Sequence, residues 1–390
     1  MGLAILLEGL WWTSAALTAA TCAYLVLTLA AVLAWRPQAG PGWLTQPGVT
    51  LLKPLCGLED GLEDALASFF EQRTAARVRF VFGVNDSADP AIERARRVAA
   101  RFADRETMFV VDPRRHGANP KVGNLVNMAA AAGLDEVVII SDSDVVLPPG
   151  ALQRAIDALS APGMGAATAL YRGRPGKPGD PVRRFGAWFL DYWFLPMAVL
   201  HARLAPLSVT YGPLTVLRRE ALAAAGGLEA LADHLSDDAE LGRLIRVQGL
   251  AVGFTPDIAE TLVNDPDHAE LFDHELRWSR TVRGLDPLGF SASVVSHPGP
   301  LPLLLLLRPD WIAAAAVLLP IVLRWALVLA VEHRFGRAEN LPRPGPIGIW
   351  LRDCYCFAVW ARACMVGRVG WRGSRLEIER AGLLRRENAP

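Results

Sequence analysis

From Gly9 to Trp35 the chain carries no charged residue, and an uncharged run of that length can cross a bilayer as a helix. Its best placement is about Trp12 to Trp35. A cleaved signal peptide would want a basic start and a shorter apolar core before a small-residue cleavage site. Here the only early charge is Glu8 and the run is too long, so the segment is expected to stay as an anchor. Basic residues begin beyond it, at Arg36 and Lys53, which puts the following domain on the cytoplasmic side by the positive-inside rule. For a bacterial-type cell this means an integral protein of the inner (cytoplasmic) membrane.

A second apolar region, about Pro287–Val331, is interrupted by Arg308-Pro309-Asp310. It reads as two crossings, Leu288–Leu307 and Trp311–Val331, joined by a tight polar turn. The segments after it are basic: Arg334, Arg337 and Arg343, then Arg368, Arg372, Arg375, Arg380, Arg385 and Arg386. A hairpin that re-enters and returns agrees with that bias. Ile347–Gly367 contains Arg352, Asp353 and Arg362, which favours an interfacial helix over a full span. The aromatic-rich Phe185–Leu204 reads either as a buried core helix or as a helix lying in the membrane plane. Twelve tryptophans, many beside these apolar stretches, suit the lipid–water boundary. The 40 basic residues balance 40 acidic ones, so nothing points to a nucleic-acid partner, and the five cysteines show no disulfide framework.

Between the membrane parts, apolar runs alternate with helical patterns. Val49–Leu52, Arg79–Val84, Thr107–Val111 and Glu136–Ser141 read as buried strands. Leu62–Gln72, Pro90–Phe102 and Pro120–Ala132 read as the helices between them. Repeated β-α units predict an α/β domain with a mostly parallel sheet covered on both faces. Further on, Ala166–Tyr171 and Val209–Leu217 carry strand patterns and Asp238–Val247 a helical one. Neither a dinucleotide fingerprint nor a P-loop follows the first strand. The expected organisation is an anchor and linker over 1–48, a cytoplasmic α/β domain over 49–286, and a membrane region with a basic tail over 287–390.

The strand Ile139–Ser141 runs into Asp142 and Asp144, one residue apart. Alternate positions on an extended segment face one side, so both carboxylates can reach one hard cation, Mg²⁺ or Mn²⁺ rather than zinc. Three further stations stand out: Asn85-Asp86, Asp237-Asp238, and His274-Glu275-Leu276-Arg277-Trp278. Each also has a plain structural use. Asp86-Ser87 before Asp89-Pro90 suits a turn and helix cap. Asp237-Asp238 after Ser236 suits another cap, and Lys121 suits a solvated surface. His274, Arg277 and Trp278 share one helix face that could simply pack at the membrane boundary.

Taken in order, these stations resemble the D, DxD, D, (Q/R)xxRW pattern of the processive and lipid-modifying GT-A glycosyltransferases. More narrowly, LLKPLCGLEDGLEDALASFF, GANPKVGNLVNM, GPLTVLRREAL and WLRDC…WRGSRL resemble the ceramide glucosyltransferase family. They are similar too to bacterial enzymes that glycosylate hopanoid lipids. The resemblance runs from about Val49 to Leu376, and departs from the pattern at His274, where Gln or Arg is more usual.

The resemblance implies a GT-A-type domain with membrane helices at both ends, and an inverting enzyme that moves a hexose from a UDP-sugar to a lipid hydroxyl. UDP-glucose to ceramide is the leading pair. UDP-N-acetylglucosamine to a hopanoid polyol, or a non-catalytic membrane scaffold of the same fold, are the alternatives. It also implies roles. Asp144 with Asp142 would hold the divalent metal beside the leaving diphosphate. Asp86 would accept hydrogen bonds from uracil or ribose, and Lys121 would meet phosphate or ribose. Arg277 and Trp278, with His274, would close over the diphosphate and acceptor. Asp238, in preference to Asp237, would be the general base.

Overall fold

Eight strands, β1 Gly48–Pro54, β2 Arg77–Val84, β3 Thr107–Val111, β4 Val137–Ile140, β5 Val145–Val146, β6 Met164–Pro175, β7 Thr215–Arg218 and β8 Ala251–Val263, form one mixed sheet. Its order is β3-β2-β1-β4-β7-β6-β8-β5. The pairs β1–β2, β2–β3, β1–β4 and β6–β8 are parallel, and β4–β7, β6–β7 and β5–β8 antiparallel. The computed structural model describes residues 2–37, 39–338, 341–365, 368–371, 374–378 and 384–386. Arg372 and Arg380 of the basic tail, and Val366-Gly367, lie outside them.

Side-chain alternation along the central strands explains why they read as unbroken apolar runs. Leu51, Phe80, Phe82 and Ile139 face one layer of helices, Leu62–Phe70, Pro90–Ala99 and Ala151–Ala158. Leu52, Val81, Val138 and Ile140 face the other, formed by the helices Pro120–Ala132 and Asp237–Val247. With both faces covered, β4 is buried throughout, and β1 and β2 are buried over Val49–Pro54 and Phe80–Val84. Phe69 and Phe70 are fully enclosed against the sheet, and each contributes about 1.5–3 kcal/mol of apolar burial. The helix Pro120–Ala132 begins where the sequence predicts. Pro120 needs no partner at the first turn, and the Asn119 side chain accepts from the Lys121 and Val122 N–H groups at 3.0 and 3.2 Å.

This sheet belongs to a unit built chiefly from Arg36–Asp180 and Ala205–Asn264. A second unit comprises Met1–Trp35, Pro181–Leu204 and Asp265–Ala381. The sequence-derived boundaries at 48 and 286 therefore differ from these divisions. Pro181–Leu204 and the helix His268–Leu285 group with the apolar helices rather than with the sheet.

In the second unit, helices at Ile5–Ala34 and Trp311–Phe335 are long and apolar enough to cross a membrane. The first starts earlier than Trp12, because nothing in Gly2–Trp11 breaks a helix. Leu288–Leu307 does not form one straight span. It is a pair of short helical pieces, Pro287–Ser296 and Leu301–Leu307, bent by 57°. Pro298, Pro300 and Pro302 cluster at the bend around Gly299, and each proline removes an N–H donor that a continuous helix would use. Phe185–Leu204 is helical with a π-turn at Leu190–Phe194. Helix Pro346–Met365 buries Arg352 and Asp353, whose partners in the same unit are Glu275 and Arg324.

Candidate active site

Register alone brings the first two site residues together. Leu52 pairs with Ile140, so Lys53 and Ser141 follow side by side where the β1–β4 pairing ends. Lys53 is fully buried; its Nζ donates to Ser141 Oγ at 3.2 Å and to the Asp142 carbonyl oxygen at 2.5 Å. It also lies 3.8 Å over the Phe69 ring. The lysine thus props the turn that carries Asp142 and Asp144. In the sequence Lys53 reads only as a flanking charge. The available signal was a lysine inside a strand whose neighbours are otherwise apolar.

Across the turn, Lys121 Nζ meets Asp142 Oδ1 at 2.8 Å and Asp237 Oδ2 at 3.3 Å. The start of the Pro120–Ala132 helix, the end of β4 and the start of the Asp237–Val247 helix therefore converge on one ammonium. Asn119 Nδ2 reinforces this by donating to the His234 carbonyl at 2.8 Å. Asp238 points to a different set of donors. Its Oδ1 accepts from Ser236 Oγ at 2.6 Å and from the Ala239 N–H at 2.8 Å, and its Oδ2 from the Gly212 N–H at 3.2 Å. Ser236 stands at the N-cap position, yet its hydroxyl orients Asp238 instead of capping the helix.

Gly212 links both acids. A Cβ at this position would come 2.6 Å from Asp142 Oδ2, so any side chain here would displace the Asp142 carboxylate beside the N–H that donates to Asp238.

The electrostatics follow from crowding. Burial and the negative charges of Asp142 and Glu59 push the Asp144 carboxyl up to about 8, with Lys53 opposing. Burial pulls Lys53 down to about 7 against the attraction of Asp144, Asp142 and Glu59. Burial also works against the Lys121 ammonium, but Asp142, Asp237 and Asp238 outweigh it and hold the lysine above its ordinary value. Burial raises the Asp237 carboxyl, and Lys121 counteracts that rise.

An acidic turn strained by like charge is a place where a cation would be favourable. Among the described residues no three His, Cys, Asp or Glu side chains form a metal-holding group. The donors present, Asp142 and Asp144, suit an oxygen-seeking ion that takes one or two carboxylates and completes its shell with phosphate and water oxygens. In ligand type and charge, the residues fit Mg²⁺ or Mn²⁺.

The other predicted residues are placed as follows. Asp86 is exposed on the loop after β2, where its Oδ1 accepts from the Ala88 N–H at 2.9 Å; Asp89, not Asp86, caps the next helix. Asn85 Nδ2 donates to the Pro120 carbonyl at 3.0 Å, tying that loop to the start of the Lys121 helix. His274, Arg277 and Trp278 lie on the helix His268–Leu285 of the second unit. There His274 Nδ1 meets Asp265 Oδ1 at 3.0 Å and its ring lies 4.3 Å from that of Trp278.

The family described as Glycosyl transferase family 21 matches residues 13–384. Ceramide glucosyltransferase 1 of Caenorhabditis elegans is 27% identical over 214 residues, 53% of this chain and 43% of that protein. The ceramide glucosyltransferase of Komagataella phaffii is 32% identical over 117 residues, 29% of this chain and 23% of that protein. The chain thus covers less than half the length of either relative. A mannosyltransferase from Pyrobaculum calidifontis, solved in complex with GDP-Man and Mn²⁺, superimposes with a TM-score of 0.55 at 19% identity, covering 92% of this chain and 99% of that one. The architecture shared with it is the α/β GT-A type.

Proposed function

Because the chain belongs to glycosyl transferase family 21, we propose that it is a membrane-bound inverting enzyme that transfers glucose from UDP-glucose to the primary hydroxyl of ceramide. The observation that carries this reading is the convergence of Lys121, Asp142, Asp237 and Asp238 at the carboxyl ends of the parallel strands, where open α/β sheets bind ligands. Similarity to ceramide glucosyltransferases supports the choice of donor and acceptor. The candidate spans and the basic segments after them support a catalytic domain at the cytoplasmic face.

In this reading Asp142 and Asp144 would hold a divalent ion, which would supply positive charge against the negative charge developing on the leaving diphosphate. Lys121 balances the carboxylates and offers its N–H donors to the donor's ribose or phosphate. Lys53 fixes the turn from below. Asp86 reads the uracil or ribose. Asp238 takes the proton of the attacking hydroxyl, and its two oxygens are held in place by Ser236, Ala239 and Gly212. A positioned base of this kind contributes about 10²–10⁴-fold. The ion pair of Asp237 with Lys121 supports Asp238 as the base in preference to Asp237. The family resemblance gives Arg277 the role of a planar fork for phosphate oxygens, with His274 and Trp278 beside it on the same helix.

Mass spectrometry of lipids from a ceramide-containing host expressing the chain tests the proposal. Glucosylceramide should accumulate with the unaltered protein and be missing with Asp238→Asn. Accumulation of a glycosylated hopanoid instead, in a host supplying both lipids, would assign the other acceptor. No new glycolipid in either host would contradict the proposal.

A further inference from the structure

The second unit buries a polar group that the proposed chemistry does not use. His297 is 3% exposed, and neither ring nitrogen has a hydrogen-bond partner among the described residues. Its ring lies 6.3 Å from that of Phe357 and 6.0 Å from that of Trp360, on the helix that carries Asp353, whose partner Arg324 is also 3% exposed. Arg324 forms a two-pronged pair with Asp353, Nε to Oδ2 at 2.9 Å and Nη2 to Oδ1 at 3.0 Å, while its Nη1 is unpartnered. Polar atoms buried without partners are rare and costly, so three of them in one apolar neighbourhood point to a ligand that completes them.

The chemistry of that ligand can be read from the charges. The Arg324 guanidinium is already neutralised by Asp353, so its remaining N–H calls for a neutral acceptor rather than an anion. A neutral imidazole offers one donor and one acceptor. A hydroxyl or amide group has the donor and acceptor that such a pair calls for. The surroundings supply an apolar lining. The His297 ring stacks on Trp193 at 5.5 Å, Trp193 on Phe189 at 5.1 Å, and Phe189 on Trp278 at 6.0 Å. A run of aromatic faces therefore joins the buried histidine to the tryptophan of the HxxRW segment. The unit also carries the two helices long enough to cross a bilayer, so a ligand reaching this site would come from lipid.

We propose that His297 and the unpartnered Nη1 of Arg324 hydrogen-bond the hydroxyl or amide head of the neutral lipid acceptor, which lies along the Trp193–Phe189–Trp278 aromatic run. This rests on the reading of the chain as an enzyme acting on a neutral lipid.

The test uses the full-length protein in detergent, following quenching of its tryptophan fluorescence by C6-ceramide, with UDP-glucose binding measured separately. His297→Phe should weaken C6-ceramide binding at least tenfold and leave UDP-glucose binding within twofold. His297→Gln, which keeps a donor and an acceptor, should stay within about threefold of the unaltered protein. Undiminished ceramide binding by His297→Phe overturns the site while leaving the ceramide assignment standing. Binding of dioctanoylglycerol but not C6-ceramide, still dependent on His297, keeps the site and removes ceramide. His297-dependent binding of phosphatidylglycerol overturns the neutral-ligand assignment. A diazirine-bearing ceramide on the unaltered protein decides the matter whether or not the variants fold. Labelling of peptides containing Trp193 or His297 supports the site, and labelling confined to other peptides overturns it.

Discussion

Replacing Lys121 with methionine keeps the length of the side chain and removes the one charge shared by the two converging acids. At an effective dielectric of about 20, contacts of 2.8 and 3.3 Å correspond to roughly 6 and 5 kcal/mol of gross Coulomb attraction. Desolvation offsets much of this, and deleting one partner of a buried pair costs about 3–5 kcal/mol. The lysine side chain is 22% exposed, which favours the lower end, about 3 kcal/mol. For a unit of this size that is a fall in melting temperature of roughly 6–12 °C.

The pH dependence carries the sharper signature. Burial already raises the Asp237 carboxyl, and Lys121 holds that rise back. Without the lysine the carboxyl titrates still higher. Above its pKa the variant must keep an uncompensated carboxylate buried; below it, protonation removes the charge and with it the cost of the missing lysine. The gap in melting temperature between wild type and Lys121→Met should therefore be wider at alkaline pH and narrow on acidification. Differential scanning fluorimetry of the purified protein in detergent, without donor or divalent ions, measures it. A gap that is constant, or that widens on acidification, would refute the ion-pair reasoning.

Asp238→Asn should lower turnover at least 10²-fold with UDP-glucose affinity nearly unchanged, and a loss confined to donor binding would contradict the base assignment. Asp144→Ala should abolish Mn²⁺-dependent binding of UDP-glucose in calorimetry, and EDTA should reproduce this in the unaltered protein; indifference to chelation would remove the metal role. Gly212→Ala brings a methyl within 2.6 Å of Asp142 Oδ2, so turnover should fall at least tenfold with little change in melting temperature. Wild-type turnover in that variant would show that the close approach is not needed.

Where burial is uniform, the sequence declared the fold openly. The strand β4 and most of β1 are apolar because both faces are covered, and Asn119-Pro120 announces its helix by side-chain capping alone. By contrast β8, Ala251–Val263, passed unnoticed: it is half-exposed for much of its length and carries Pro256, Asp257 and Glu260, so no apolar run marks it. The two-residue β5 is too short for any periodicity.

The same division runs through the site. Asp142, Asp144, Lys121 and the Asp237-Asp238 pair were legible because each sits at an element's end. Lys53 was not, since its partner Ser141 lies 88 positions away and only strand register joins them. Likewise, Arg352 and Asp353 made Pro346–Met365 look interfacial, because their partners Glu275 and Arg324 are 77 and 29 positions distant.

Inversion by a single carboxylate base is the central claim, and the configuration of the product tests it most directly. UDP-glucose carries its sugar in the α configuration. Incubation of the purified protein with UDP-glucose and ceramide, followed by proton NMR of the isolated glycolipid, should show the large anomeric coupling of a β-glucoside. An α-glucoside would contradict a one-step displacement assisted by Asp238.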